Sequence, residues 1–234
     1  MNILITGASR GIGAAAYDLM RSRDHEVVGH STKGTDELIA GDLTDPAAPE
    51  RMWNEALERL GGRIDVLVNN AGIYEAVEAE ASLADWQSAW VRTLRINLQA
   101  PADLSRLAVA HFSERRQGGR IVNVASRAGW RGDSPQHWHY AASKSALIGM
   151  TKTIARAYGG EGILAFAVAP GFTVSEMTDE YLTGRGGAQI VADIPLGRVA
   201  TTDEVAEVIR WLATEAPASA TGSTIDVNGA SYVR

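Results

Sequence analysis

The chain has 234 residues, of which 45% are hydrophobic and 21% charged, with a net charge of -6 and no cysteine. Disulfides, thiolate metal sites and a cysteine nucleophile are thereby excluded, and no basic stripe is present to neutralise a nucleic-acid backbone. The opening run Asn2-Ile3-Leu4-Ile5 has no charged leader and no apolar run approaches the ~20 residues of a membrane span, so a cytoplasmic protein with no membrane or nucleic-acid partner is expected.

Short runs with strand character alternate with longer helical ones along nearly the whole chain. The strand candidates are 2–6, 26–30, 37–40, 65–69, 120–125, 164–169 and 224–227, and the helix candidates are 11–22, 46–60, 83–97, 101–116, 138–158 and 203–214. That order predicts an α/β fold, a single doubly wound (Rossmann) domain over 1–234 with a seven-stranded parallel sheet between two helix layers. Only six residues, Ser31 to Asp36, separate the second and third strands. A parallel crossover normally takes a dozen or more, so either a tight loop replaces the helix or one strand is misassigned. The least regular stretch is 172–195, where Gly184, Gly186 and Gly187 interrupt helix-like pieces; a mobile lid is expected there.

Thr6-Gly7-Ala8-Ser9-Arg10-Gly11-Ile12-Gly13 follows the first strand and opens the first helix. Glycines in that context let the backbone approach a pyrophosphate while the helix start offers free N–H groups. Further on, Tyr140 and Lys144 stand four apart within a predicted helix and so share one face. An ammonium beside a phenol favours the phenolate, so Lys144 is expected to draw the Tyr140 pKa from about 10 toward neutrality.

With Asn69-Asn70-Ala71-Gly72 ending the fourth strand, Ser126 ending the fifth, Pro170-Gly171 after the sixth and Pro195-Leu196-Gly197-Arg198 beyond, the chain resembles the short-chain dehydrogenase/reductase family over almost its whole length. The look is nearest to members that reduce 3-oxoacyl groups on a carrier protein. The resemblance implies an oxidoreductase in which a nicotinamide cofactor supplies hydride, Tyr140 gives the proton, Ser126 steadies the developing alkoxide, Lys144 holds the nicotinamide ribose, and Asn97 fixes a water that reconnects Lys144 to solvent. It implies cofactor contacts from Gly7, Ser9, Arg10, Gly11, Ile12 and Gly13, from Asp42 and Leu43 at the adenine, from Asn70, Ala71 and Gly72, and from Pro170, Gly171, Thr173 and Ser175. It also implies a dimer or tetramer joined through helices 101–116 and 138–158, whose residues Leu104, Leu107, Ala108 and Phe112 suggest a second buried face.

The second strand ends in His30-Ser31-Thr32-Lys33. No acid stands there to bind a ribose 2'-hydroxyl, whereas Arg10, Ser31, Thr32 and Lys33 suit a 2'-phosphate. NADPH is expected over NADH, with NADH dependence through Asp36 the alternative. A sugar-nucleotide epimerase would need a larger C-terminal domain, and a non-catalytic NADP-binding sensor would not need Ser126, Tyr140 and Lys144. The loop from Arg127 to His139 is one residue longer than is common in the family. Trp130 and Trp138, with Phe172 and Tyr181, are expected to wall the substrate pocket, and Arg127 or Arg131 to hold an anionic group or to lie solvated. His137 and His139 have no companion ligands in sequence, so no metal is expected. The resemblance implies a small-molecule carbonyl or alcohol substrate, with an acyl thioester, a steroid-like ring, a sugar and a small ketone all open.

Overall fold

The computed structural model describes residues 1–174 and 187–234. Its seven strands are β1 (Asn2–Ile5), β2 (Glu26–Ser31), β3 (Leu38–Ala40), β4 (Val66–Asn69), β5 (Gly119–Val124), β6 (Ile163–Pro170) and β7 (Thr224–Val227). They form one parallel sheet in the order β3-β2-β1-β4-β5-β6-β7, a Rossmann-like α/β domain. The helices are α1 (Gly11–Arg21), α2 (Ala48–Arg59), α3 (Leu83–Leu94), α4 (Ala100–Arg115), α5 (Ala128–Arg131), α6 (Trp138–Tyr158), α7 (Gly187–Ala192) and α8 (Thr202–Thr214).

Side chains alternate across each strand, and this divides the core in two. Ile3, Ile5, Val66, Val68, Phe166 and Val168 face α1 and α8, whereas Leu4, Leu67, Ile121, Ile163 and Ala165 face α2, α4 and α6. Leu104, Ala108 and Phe112 belong to this second core and are almost wholly buried in it. They serve α4's own sheet, so they do not supply the second apolar face expected from sequence. No helix among the described residues is long and apolar enough to cross a membrane.

The short β2–β3 connection is real, and both strands stand. β3 pairs only with the end of β2, Gly29 opposite Leu38 and Ser31 opposite Ala40, so the chain backs up by only about two residues' rise, some 7 Å, and needs no helix. Gly34, at φ +68°, makes that turn, its N–H donating to Ser31 Oγ. Of the expected lid, 175–186 lie outside the described residues, while Gly187–Ala192 forms α7.

Buried amides join the layers. Asn69 Nδ2 donates to Asn123 Oδ1 (2.8 Å) and to Ser105 Oγ of α4 (3.1 Å), and Asn123 Nδ2 donates to Thr151 Oγ1 of α6 (2.9 Å). Because a buried donor left without its partner costs about 1–3 kcal/mol, and a cavity would be added, Asn123→Ala should lower the unfolding free energy by roughly 2–4 kcal/mol in urea titrations. A loss below about 0.5 kcal/mol would contradict this account of the network.

Candidate active site

At the strand-order reversal between β1 and β4, the loops that follow the two strands are tied together. Thr6 Oγ1 accepts from the N–H groups of Asn70 and Ala71, both at 3.0 Å, and Asn70 Nδ2 donates to the carbonyls of Thr6 (3.0 Å) and Gly7 (3.1 Å). A Cβ at Gly13 would lie 2.0 Å from the Gly7 carbonyl oxygen, so the start of α1 can approach the loop this closely only as glycine. Helix α1 begins with no side-chain cap bond and no acid in its first turn. Its N–H groups and partial positive charge are therefore left for an anion, a donor set that fits a dinucleotide pyrophosphate.

A cleft of about 1310 Å³ runs along the C-terminal ends of the strands, more than a drug-sized ligand needs. Gly7, Ser9, Arg10, Gly11, Ile12 and Gly13 line it near the loop, Ser31, Thr32, Lys33, Asp42 and Leu43 at one end, and Asn70, Ala71 and Gly72 along the wall. Ser126, Tyr140, Lys144, Pro170, Gly171, Phe172 and Thr173 line the other end. Asp42 does not cap α2; its Oδ1 accepts from the backbone and hydroxyl of Thr44. Ser175 and Tyr181 lie outside the described residues.

Helix α6 presents Tyr140 and Lys144 to the cleft together. The Ser126 hydroxyl favours the ionised form of the Tyr140 phenol, and Ser126 Oγ accepts from the Ala128 N–H at 3.1 Å. Lys144 is 5% exposed and its Nζ donates to the Val124 carbonyl at 2.8 Å, 5.7 Å from the centre of the Tyr140 ring. Burial lowers the Lys144 pKa to about 8. Burial is also the main influence on Tyr140, pushing its phenol up to about 12, with Asp133 adding to the rise and the Ser126 hydroxyl opposing it. This corrects the expectation that Lys144 holds the phenol near neutrality. The ammonium is directed at a backbone carbonyl, and removal of the phenol from water outweighs it.

Asn97 is fully buried. It sits in a five-residue π-helical turn, Arg95–Gln99, between α3 and α4, an irregularity that often marks functional sites. Its Oδ1 accepts from the Ile73 N–H at 2.8 Å, and its Nδ2 donates to the Ile73 carbonyl (2.9 Å) and Ser143 Oγ (3.4 Å). It thus clamps the loop after β4 against α6.

Two expected pocket residues lie elsewhere. Trp130 packs with Ala125, Leu147 and Ile148, its ring faced by Lys152 at 4.8 Å and Arg234 at 4.4 Å. Trp138 is 53% exposed and meets Trp86 edge-on at 5.3 Å. Phe172 lines the cleft as expected, and Tyr74 borders it too, edge-on to Tyr140 at 4.8 Å and stacked on His137 at 3.8 Å. Among the described residues no group of three His, Cys, Asp or Glu is placed to hold a metal.

His30 also escaped the sequence reading. Its Nδ1 accepts from the Gly7 N–H at 3.3 Å and its Nε2 lies 2.8 Å from the Gly41 carbonyl. Because one partner only donates and the other only accepts, the ring is the neutral Nε2–H tautomer. Burial lowers its pKa from 6.5. The folded protein therefore binds fewer protons here than the unfolded chain; this stability is complete above about pH 6.5 and is lost as pH falls below it. His30→Gln keeps a donor and an acceptor but does not titrate. Its urea midpoint should fall less than that of the unaltered protein between pH 7.5 and pH 5.5; equal falls would contradict the tie.

The family model described as enoyl-(acyl carrier protein) reductase matches residues 6–230. The 3-oxoacyl-acyl-carrier-protein reductase of Escherichia coli is 34% identical, over 98% of this chain and 96% of its own length. Nodulation protein G of a Rhizobium species is 37% identical over 97% and 94%. Among solved structures, a short-chain dehydrogenase of Burkholderia cenocepacia in complex with NADP superposes with a TM-score of 0.87 at 29% identity, covering 98% of this chain and 97% of that one. 4-Hydroxyisoleucine dehydrogenase complexed with NADH gives 0.87 at 27% identity, covering 97% and 96%.

Proposed function

The chain belongs to the short-chain dehydrogenase/reductase family, oxidoreductases that act on carbonyl or CH–OH groups with a nicotinamide dinucleotide, and on that premise we propose that it is an NADPH-dependent reductase of a ketone or 3-oxoacyl group. The observation that carries this reading is the meeting of Ser126, Tyr140 and Lys144 at one end of a cleft whose other end offers Ser31, Thr32 and Lys33. Asp36, the acid through which NADH could be preferred, is exposed and does not line the cleft. The cytoplasm is the compartment proposed for this activity.

When bound, the reduced nicotinamide supplies the hydride. Gly7, Gly13 and the start of α1 bind the pyrophosphate, and Lys144 holds the ribose. A phenol pushed up to about 12 is protonated at neutral pH, so Tyr140 stands ready as the acid that reduction requires. Ser126, at the same end of the cleft, steadies the oxygen as negative charge develops on it. Lys144 is within reach to stabilise the phenolate left behind, and Asn97 keeps the β4 loop and α6 in register for the transfer.

A homo-oligomer, dimer or tetramer, is proposed on the outer surface of α6, where Ala142, Ser145, Ala146, Gly149 and Thr153 are exposed. Light scattering should return the mass of two or four chains; a monomer at working concentration would overturn it.

Tyr140→Phe should reduce turnover by about 10²–10⁴-fold while NADPH binding, followed by fluorescence, changes less than about threefold (~0.65 kcal/mol). Undiminished turnover would refute the assignment. In the unaltered protein kcat/KM should favour NADPH over NADH by at least about tenfold, equivalent to roughly 1.4 kcal/mol, and Lys33→Glu should narrow that gap. A preference for NADH would leave the reductase but refute the cofactor assignment.

A further inference from the structure

The residue after Ser126 has no role in the reaction as described. The Arg127 N–H donates to the Pro170 carbonyl at 3.0 Å, which fixes the backbone between the ends of β5 and β6. The side chain lines the cleft, with its guanidinium carbon 4.9 Å from the centre of the Phe172 ring. Its Nη1 is shut off from water without a hydrogen-bond partner, and no ion pair to a described residue compensates the charge. The neighbouring cation differs in this respect: Arg131 is paired with Asp193 at 3.2 Å. Asp133, the acid of the loop, is exposed, and its Oδ1 is taken up by the Ser134 N–H and the Tyr74 hydroxyl. Burial, followed by the nearby Arg131, acts against the charge on Arg127, while Asp193, Asp133 and Tyr74 favour it from a distance without pairing with it.

A partly desolvated guanidinium with no ion-pair partner among the described residues is costly unless a ligand supplies a close counter-charge. It costs most beside an apolar chain and least beside a planar oxyanion, which it can meet in a fork of parallel hydrogen bonds. The Phe172 ring lies against the guanidinium.

We infer that the substrate is a small oxo acid, a carbonyl compound whose free carboxylate is held by Arg127 while its carbonyl lies at Ser126 and Tyr140. The inference rests on the reductase reading and narrows it, placing a free acid ahead of a neutral ester or thioester. Arg127 is thus a residue that sets specificity, one position from the hydroxyl that steadies the reacting oxygen.

The test uses 2-oxo-, 3-oxo- and 4-oxopentanoate, each with its methyl ester, as substrates with NADPH. For at least one pair the acid should exceed the ester in kcat/KM by tenfold or more. Arg127→Gln should collapse that ratio at least tenfold, chiefly through KM, and Arg127→Lys should restore part of it. Turnover with no acid preference, or a ratio unmoved in Arg127→Gln, would overturn the inference and leave the reductase standing. Calorimetric binding of the same acids to NADP-loaded Tyr140→Phe protein gives a readout that does not need turnover. Binding of acid over ester that Arg127→Gln abolishes supports the anion site even if no compound is reduced, and in that case it is the reductase reading that falls. If Arg127→Gln weakens NADPH binding as much as acid binding, Arg127 serves the cofactor and the inference is wrong.

Discussion

The site depends on holding α6 against the end of β5 by polar bonds that water cannot easily replace. Lys144 reaches the Val124 carbonyl, Thr151 takes the Asn123 amide, and Ser143 meets Asn97. Ser143 and Lys144 are consecutive and Thr151 follows about two helical turns later, so these contacts fix the helix's rotation as well as its distance. Tyr140 comes four residues before Lys144, and its position opposite Ser126 follows from that rotation. A helix held only by apolar packing could turn by a fraction of a residue at little cost; one held by buried hydrogen bonds leaves a donor stranded if it turns.

The same burial sets the acid–base chemistry. Removal from water disfavours the charged form of both groups, raising the tyrosine and lowering the lysine. The two shifts run apart from ordinary values that nearly coincide, so burial favours the phenol–amine state over the phenolate–ammonium state more than water does. In the protein alone the phenol stays protonated, the state needed to give a proton to a carbonyl oxygen. A cationic ring near the phenol would favour the opposite state, so the direction of the reaction and the protonation of Tyr140 are linked through the site's low polarity.

Much of this was legible in the residues, and what was not has physical causes. The strands and long helices stand where apolar periodicity put them, because a sheet covered on both faces imposes the same pattern over every run. The glycine loop and the Tyr140–Lys144 spacing are local, so sequence carries them. The π-helical turn at Asn97 and the short helix α5 were missed because neither has a periodic signature at that length. Aromatic residues in a substrate loop suit pocket walls, which is what Trp130 and Trp138 suggest in sequence, yet which way each ring turns is decided by partners distant in sequence, Arg234 for one and Trp86 for the other. The depressed tyrosine pKa was inferred from one neighbour, and burial, which depends on the whole fold, outweighed it. His30 looked like a strand residue, and its two hydrogen bonds exist only because the loops after β1 and β3 close over the same ring.

The central claim is that burial keeps Tyr140 a protonated acid in the free protein. It is tested most directly by titrating tyrosinate absorbance in the unaltered protein and in Tyr140→Phe and taking the difference. The account predicts no Tyr140 ionisation below the ordinary value of 10 in the free protein, since burial pushes it up to about 12, and a clear fall once NADP⁺ is added. Ionisation near neutral pH in the free protein would contradict it.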